Sequence, residues 1–496
     1  MEGLLSWRNL TNELRAFVVS LLTLGFILIF SSLAHAQVAL VQLSQDTFKN
    51  TSSQHATEVE PDSYSYGSTI VTAFQVGRIF SGGAADIGFA TSTNSGATWS
   101  NGYLPGITKA QNPNNPYDAI SDAAVAYDAA YGVWLIASLP LVNSNTPIPA
   151  VVVSRSNDGI NWDNPVSVGP PVDSSDKDWI TCDNSATSPY YGNCYVEWDN
   201  PAQGNLIYMS TSTDGGQTWS PALNTADFAS GIGGQPLVQP NGTVIVPIDD
   251  AFEGSVMSFQ STNGGISWSS TVAVASIFSH NEAGGLRSGP LPSASEDPKG
   301  NVYVVWSDCR FRTNCAENDV VLSTSADGIA WTAPARIPID SVSSTVDHFL
   351  PGLAADATSP SPTARLDLVY YYYPQTNCTT STCQLDVGFV FSTSGGKSWY
   401  PAIQLAGPMT LTWLPNTFSG YMVGDYFAST YSALATHGYF AVAKQPVGST
   451  FNEAMYTQVA GSIGAPQGWA LSSASDHPVA HPKSDHPPLK YPALIR

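Results

Sequence analysis

The amino-acid sequence predicts an all-β fold, a seven-bladed β-propeller closed by a strand from its own N-terminus, and three observations predict it. Six times an alternating apolar run ends in a tight polar turn whose glycine stands three residues before a tryptophan: Trp99, Trp162, Trp219, Trp268, Trp331 and Trp399, at spacings of 49 to 68 residues. That interval is the period of a repeated sheet of blade size. Upstream of each turn lies a β-branched and aromatic run, and there are seven of these, at 69–74, 133–138, 194–198, 243–248, 302–307, 366–372 and 439–443. The last is followed by a strand at 454–459 but by no tryptophan turn, whereas a free apolar strand, 38–43, lies at the other end of the chain. Pairing that strand with the C-terminal sheet closes a ring and removes a raw sheet edge. Six blades plus an appended sheet is the alternative.

In order along the chain, residues 1–36 carry Arg8 and Arg15, a 15-residue apolar run at 16–30 and Ala34-His35-Ala36. The run is shorter than the roughly 20 residues a spanning helix needs, so the segment reads as a secretory signal peptide. The mature chain is expected to be secreted, extracellular or periplasmic, with no membrane contact after cleavage. Residues 37–460 form the propeller, and the Pro, Ser and His-rich stretch 461–496 reads as a poorly ordered tail in which His477, His481 and His486 are solvated.

The net charge is −21, and it stays there after the signal is removed, because two charges of each sign leave with it. Nucleic acid and anionic membrane call for a basic surface, so both are excluded as partners. A glycan or glycoconjugate is the expected partner, and a monomer the expected state.

Six cysteines fall into close pairs, Cys182 with Cys194, Cys309 with Cys315, and Cys378 with Cys383, and export favours disulfides. No CxxC occurs, so no metal ligands are assigned. No cofactor is expected, although the acidic loops leave calcium open.

In the tryptophan turns a glycine supplies a left-handed backbone position and an Asp or Asn two residues earlier bonds the turn's own amides. The best copy runs from Ser212 to Trp219 with Asp214; Asn94, Asn157 and Asn263 carry the amide, Ala326 and Ser394 depart, and at Asp158 and Asp327 the carboxylate is displaced by one. These turns resemble the Asp-box, or BNR repeat, of the sialidase superfamily, over nearly all of residues 38–460. The repeat specifies architecture rather than activity, since each turn sits on a different blade rim.

Strand parity puts the loops between blades and those between second and third strands on one face, away from the tryptophan turns. Those loops gather Glu58, Glu60 and Asp62; Asp118 and Asp122; Asp176, Lys177 and Asp178; and Asp249, Asp250 and Glu253, in a chain only 11% charged. Within the set, Arg287, Arg310 and Arg312 suit a carboxylate or sulfate, the last two inside the Cys309–Cys315 staple. Arg78, Asp178 and His348 complete the expected substrate contacts. Tyr426, beside Asp425, is a candidate nucleophile or sugar donor, and Glu282 a candidate acid. Trp179, Trp306, Trp413 and the tyrosines 370–373 offer stacking faces.

The resemblance implies a tyrosine nucleophile assisted by a glutamate, an aspartate acid/base and three arginines clamping a carboxylate. The sequence departs from that set. Val59-Glu60-Pro61 stands where the first arginine motif belongs, and Arg336-Ile337-Pro338 follows the fifth tryptophan turn. Arg78 matches in context, but Asp86 lies too near the third strand to be the expected acid. The expected function is therefore a secreted glycan-recognising propeller, with glycoside hydrolase activity on a sugar other than sialic acid left open. An exo-sialidase with rearranged clamps and a silent adhesion or scaffold propeller are the alternatives. The first two place Arg287, Arg310, Arg312, Tyr426 and Glu282 in one pocket.

Overall fold

Strand follows strand by antiparallel pairing, and groups of such strands repeat from one end of the chain to the other, as an all-β propeller. The computed structural model describes residues 38–144, 147–172, 174–432, 435–462 and 472–473. The signal peptide expected at 1–36 and the tail histidines lie outside the described residues. Ser472–Ser473, within the expected tail, pair with Ser398–Trp399.

Each repeat starts with an inner strand and steps outward. The first runs Glu58–Tyr66, Thr69–Arg78, Ala84–Ser92 and Ser100–Tyr103, and the second Ala119–Asp128, Val133–Leu141, Ile148–Ser156 and Val166–Val172. One bridge, Ala84 to Ile120, joins the two sheets. Later repeats begin at Asp176–Cys182, Gly231–Ile232, Ser293–Glu296, Asp347–Ala355 and Ala428–Ser432. In the third, the outermost strand is reduced to Leu223, which exchanges backbone hydrogen bonds of 2.8 and 2.9 Å with Met209.

The N-terminal strand Leu40–Gln42 pairs antiparallel with Glu453–Gln458, in the register Leu40 to Gln458. Bonds from Leu43 N–H to the Met455 carbonyl and from Val459 N–H to the Ala39 carbonyl, both 2.8 Å, extend the pairing. The outer edge of the last sheet is thus covered by the chain's own beginning.

Alternation sends one face of each sheet into the seam with its neighbour. Val71, Ile87 and Phe89 of the first sheet bury against Ile120, Trp134 and Ile136 of the second. Apolar seams repeated between successive sheets supply the burial that no single sheet achieves.

The tryptophan turns show why their carboxylate can shift by one residue. In the longer turn Asp214 Oδ1 accepts from the amides of Gln217 and Thr218, at 3.0 and 2.9 Å. In the shorter turns Asp158 and Asp327 accept from the second and third following amides, at 2.7 to 2.9 Å. At Ser394 the hydroxyl accepts from the Ser398 amide, 2.9 Å. Gly216 sits at φ 75°, and a Cβ there would come within 2.8 Å of Leu135. Both the backbone conformation and the packing require glycine.

Disulfides link Cys182 to Cys194, Cys309 to Cys315 and Cys378 to Cys383. Among the described residues no helix is long and apolar enough to cross a membrane.

Candidate functional site

Several inner strands share a defect that aims charge away from the sheet. Their pairing slips between Val59 and Asp62, between Ser121 and Ala124, and between Asp176 and Trp179. Inside these slips Glu60, Asp122 and Lys177 adopt φ of 55°, 44° and 47°. A β-bulge with a left-handed residue re-aims a side chain that regular pleating would send into a seam. Positive φ is unfavourable for residues with a Cβ, so the repetition of charged residues at this position marks a built feature rather than a turn.

Near these three stand Asp425 and Arg287, from loops, and Arg78, the last residue of the strand Thr69–Arg78. Lys177 Nζ lies 2.7 Å from Asp425 Oδ2 and 3.4 Å from Glu60 Oε1. Arg287 grips Asp425 with two nitrogens, Nε at 2.8 Å from Oδ1 and Nη2 on Oδ2. The Asp425 amide donates to Glu60 Oε1 at 3.2 Å, while Gln75 bonds the other Glu60 oxygen. The Asp122 carboxylate accepts from the Lys177 amide at 3.1 Å. Arg78 donates to Gln75 Oε1 at 3.2 Å and to the Gly83 carbonyl at 2.5 Å. Tyr426 closes the group: its phenolic oxygen accepts from the Ala123 amide at 2.9 Å, and its ring meets Trp179 edge-on at 5.4 Å. Glu60, Arg78, Lys177, Arg287, Asp425 and Tyr426 are all buried.

Burial and charge drive the carboxyls apart. Burial pushes Glu60 up to about 7 against the pull of Lys177. Burial would raise Asp425 too, but Arg287 and Lys177 overcome it and hold Asp425 well below the usual carboxylate range. Burial raises the Tyr426 phenol well above its ordinary value, so it stays protonated. Lys177 is held charged: burial opposes its charge, and Asp122, Asp425 and Glu60 outweigh it. Opposed environments for neighbouring carboxyls are the arrangement that separates a proton donor from a permanently ionised partner.

The sequence-expected residues divide. Arg78, Arg287, Asp425 and Tyr426 come together. Arg310 instead grips Asp308 at 2.7 and 2.8 Å and packs over Phe278. Arg312 is fully buried, with Asp319 at 2.6 and 2.8 Å and Asp340 at 2.9 Å. Arg336 joins that network, 2.9 Å from Asp319, and the buried His348 ring lies 3.9 Å from Asp319 and 3.8 Å from Asp340. Asp319, Asp340 and His348 have metal-like spacing, but the guanidiniums of Arg312 and Arg336 already neutralise the two carboxylates. The expected clamp of Arg287, Arg310 and Arg312 is therefore corrected: two of the three arginines serve internal networks.

Glu282 has its own partners: it accepts from Asn318 Nδ2 at 2.9 Å and from Ser288. Burial raises it to about 7, helped by Asp347. Beside it His280 lies 3.1 Å from Asp347, whose pull outweighs burial and lifts the imidazole to about 9. Asp178 lies in the Lys177 bulge, buried, with no hydrogen bond to either carboxylate oxygen. Trp306, Tyr371 and Tyr373 are core, whereas Trp179 is partly exposed.

Residues 189–407 match the BNR repeat-like domain family. That match spans 219 of the 496 residues. The resemblance to BNR repeats read from the tryptophan turns agrees with that match over these residues. Comparison with curated proteins yields no match. Among solved structures, the NanB sialidase of Streptococcus pneumoniae is similar at 13% identity and a TM-score of 0.43, over 86% of this chain and 71% of that one. A protein of unknown function from Dyadobacter fermentans is similar at 14% identity and 0.43, over 85% and 97%. An ulvan lyase is similar at 11% identity and 0.48, over 88% and 98%.

Glu60, Asp122 and Lys177 stand in the sequence as ordinary loop charges. The signal that sets them apart is positional: Glu60 in EVEPD, Asp122 in ISDAA and Lys177 in DKDW each open an inner strand.

Proposed function

We propose that the chain is an exported, seven-bladed propeller that recognises extracellular glycans at the centre of one face and hydrolyses a glycosidic bond there. Glu60 is the proton donor and Asp425 the ionised carboxylate. The observation that carries the reading is the Glu60–Asp425 pair, joined by the Asp425 amide yet displaced in opposite directions, Glu60 up to about 7 and Asp425 down. A protonated carboxyl near neutral pH beside a permanent anion is what glycoside cleavage asks of two carboxyl groups. The partly exposed Trp179 and the Tyr426 ring supply the aromatic surface against which a sugar face packs. The match of residues 189–407 to the BNR repeat-like domain supports the propeller architecture of this reading.

The preferred sugar presents hydroxyls rather than a carboxylate. The cations that would clamp sialic acid are already occupied, Arg287 and Lys177 by Asp425, and an incoming carboxylate would have to displace that pair. The three disulfides fit an oxidising compartment.

Turnover of a panel of chromogenic aryl glycosides, with a sialoside included, tests the reading. Wild type is expected to cleave a neutral glycoside and spare the sialoside, and Glu60→Gln to lose at least 100-fold in turnover, the low end of general acid catalysis at roughly 10² to 10⁴. Equal activity in Glu60→Gln overturns the assignment. A non-catalytic scaffold is favoured by one observation, the near-complete burial of Glu60 and Asp425, at 1% and 2% exposure. It requires that no member of the panel be cleaved.

A further inference from the structure

Two phenylalanines from opposite ends of the chain stand half bare beside the Glu60–Asp425 group. Phe80 is 50% exposed and Phe418 60%. Single exposed apolar side chains are ordinary, but these two are brought together: the Phe418 N–H donates to the Phe80 carbonyl at 3.0 Å. Phe80 follows Arg78 by two residues, in the turn 79–83 that the Ile79 N–H closes by donating to the Gly83 carbonyl at 2.8 Å. Phe418 stands in the turn of the hairpin formed by Asn416–Thr417 and Gly420–Tyr421, whose chain runs on through Met422 to Asp425.

The Phe418 ring is not what makes its turn. Thr417 closes it: Oγ1 donates to the Gly420 carbonyl at 2.7 Å and accepts from the Ser419 N–H at 3.3 Å. The hairpin is also anchored on residues of the Glu60–Asp425 group. The Tyr421 carbonyl accepts from the Arg287 N–H at 2.7 Å, and the Met422 sulfur from Arg78 Nε at 3.2 Å. Gly420 lies so close to the neighbouring loop that a Cβ there would fall 2.5 Å from the Gly285 carbonyl oxygen. On the other side the Asn416 carbonyl accepts from Gln54 Nε2 at 2.9 Å. Both backbones are thus fixed while the two rings stay uncovered, and a surface held in place before binding loses little entropy when a ligand arrives.

The segment that runs beside the Phe80 turn is neutral and polar. It comprises Asn50, Thr51, Ser52, Ser53 and Gln54, with the Gln54 N–H on the Arg78 carbonyl at 2.8 Å and Ser53 bridged to Ile79. Phenyl faces framed by amides and hydroxyls match the apolar face and hydroxyl rim of a pyranose. The cation at the base of the turn, Arg78, is engaged by Gln75, the Gly83 carbonyl and Met422, which leaves an anionic sugar no advantage there. We propose that Phe80 and Phe418 form an aromatic subsite for a further neutral sugar of the same oligosaccharide, so that the protein reads glycan chains rather than single terminal sugars. The subsite deepens the glycan reading above and rests on it. Its place follows from continuity, since one turn leads directly from Arg78 and the other directly to Asp425.

The test titrates the protein by calorimetry with neutral gluco-, xylo-, manno- and galacto-oligosaccharides of increasing length. For the backbone that binds, wild-type affinity is expected to rise with chain length. Phe80→Ala and Phe418→Ala should each remove roughly 2- to 10-fold of that gain, the value of one aromatic contact, with Tm unchanged. Phe418→Trp should retain it, and Phe252→Ala, an equally bare phenylalanine of the fourth repeat, should leave every affinity as in wild type. Wild-type affinity for the longer chains in both alanine variants overturns the proposal, as does an equal loss in Phe252→Ala or a wild type that binds none of the four series. Self-association of the wild type that Phe418→Ala abolishes also overturns it, because a second copy would then cover the rings. Binding is read without turnover, so the two readings fail separately. Length-dependent binding with no cleavage of any glycoside leaves the subsite standing and removes the hydrolytic role of Glu60; cleavage of an aryl glycoside with no effect of chain length does the reverse.

Discussion

Lys177 and Asp425, 248 residues apart in sequence, meet at 2.7 Å with side-chain exposures of 4% and 0%. Arg287 holds the same carboxylate from a third loop, so one buried anion ties together three distant parts of the chain. Removing one partner of such a group leaves the others buried and uncompensated. Lys177→Met is expected to cost about 3–5 kcal/mol in unfolding free energy. Denaturant unfolding checks it, and a cost below about 1 kcal/mol would mean that the group is solvated.

Arg312 carries a different weight from Arg287. It is fully buried with Asp319, Asp340 and the carbonyls of Ser341, Val342 and Ser344 around it. Arg312→Ala is expected to destabilise by about 3–5 kcal/mol. At a temperature where the variant is folded, its glycan affinity should equal wild type, as measured by titration calorimetry. A selective loss of affinity would return Arg312 to the ligand site.

Stability should fall as pH rises from about 4.5 to about 8. Burial lifts Glu58 to about 8, with Ser44 as its one hydrogen-bond donor, so across that interval the folded chain holds a proton that the unfolded chain has lost. One such group contributes a slope of about 1.4 kcal/mol per pH unit. Asp425 acts in the opposite sense: its stabilisation is present above the ordinary carboxylate range and is lost only as pH falls below it. Unfolding free energies at pH 5 and pH 8 check this. Glu58→Gln should flatten the dependence relative to wild type, and an unchanged slope would contradict the assignment.

Closure by the N-terminal strand has a direct consequence. A chain beginning after residue 46 loses the partner of Glu453–Gln458 and exposes a strand edge. It is expected to have a lower Tm and to self-associate, as read by light scattering after size exclusion. An unaltered Tm and a wild-type elution volume would show that the pairing contributes nothing.

Much of this was legible in the sequence, because periodicity and turn chemistry are local. The tryptophan turns, the free strand at 38–43 and the cysteine pairs are all visible without tertiary information, and the pairing of Leu40–Gln42 with Glu453–Gln458 follows from an unmatched strand at each end. The site was legible only in part. Arg287 and Arg312 look alike in sequence, and what separates them is which acid each one meets: Asp425 across the molecule for one, Asp319 seven residues away for the other. Glu60 and Lys177 looked like loop charges because alternation ends at a bulge, and only the slipped register with φ above zero turns them inward. The carboxylate shift at Asp158 was visible but its compensation was not, since that depends on the turn being one residue shorter.

The most direct measurement of the central claim is a crystal structure of the mature protein with the tightest-binding oligosaccharide from a glycan array. The account requires a sugar ring against Trp179 and Tyr426 with a hydroxyl or glycosidic oxygen in hydrogen-bonding reach of Glu60 or Asp425. A sugar bound only among the tryptophan turns, with the Glu60–Asp425 group untouched, would contradict it.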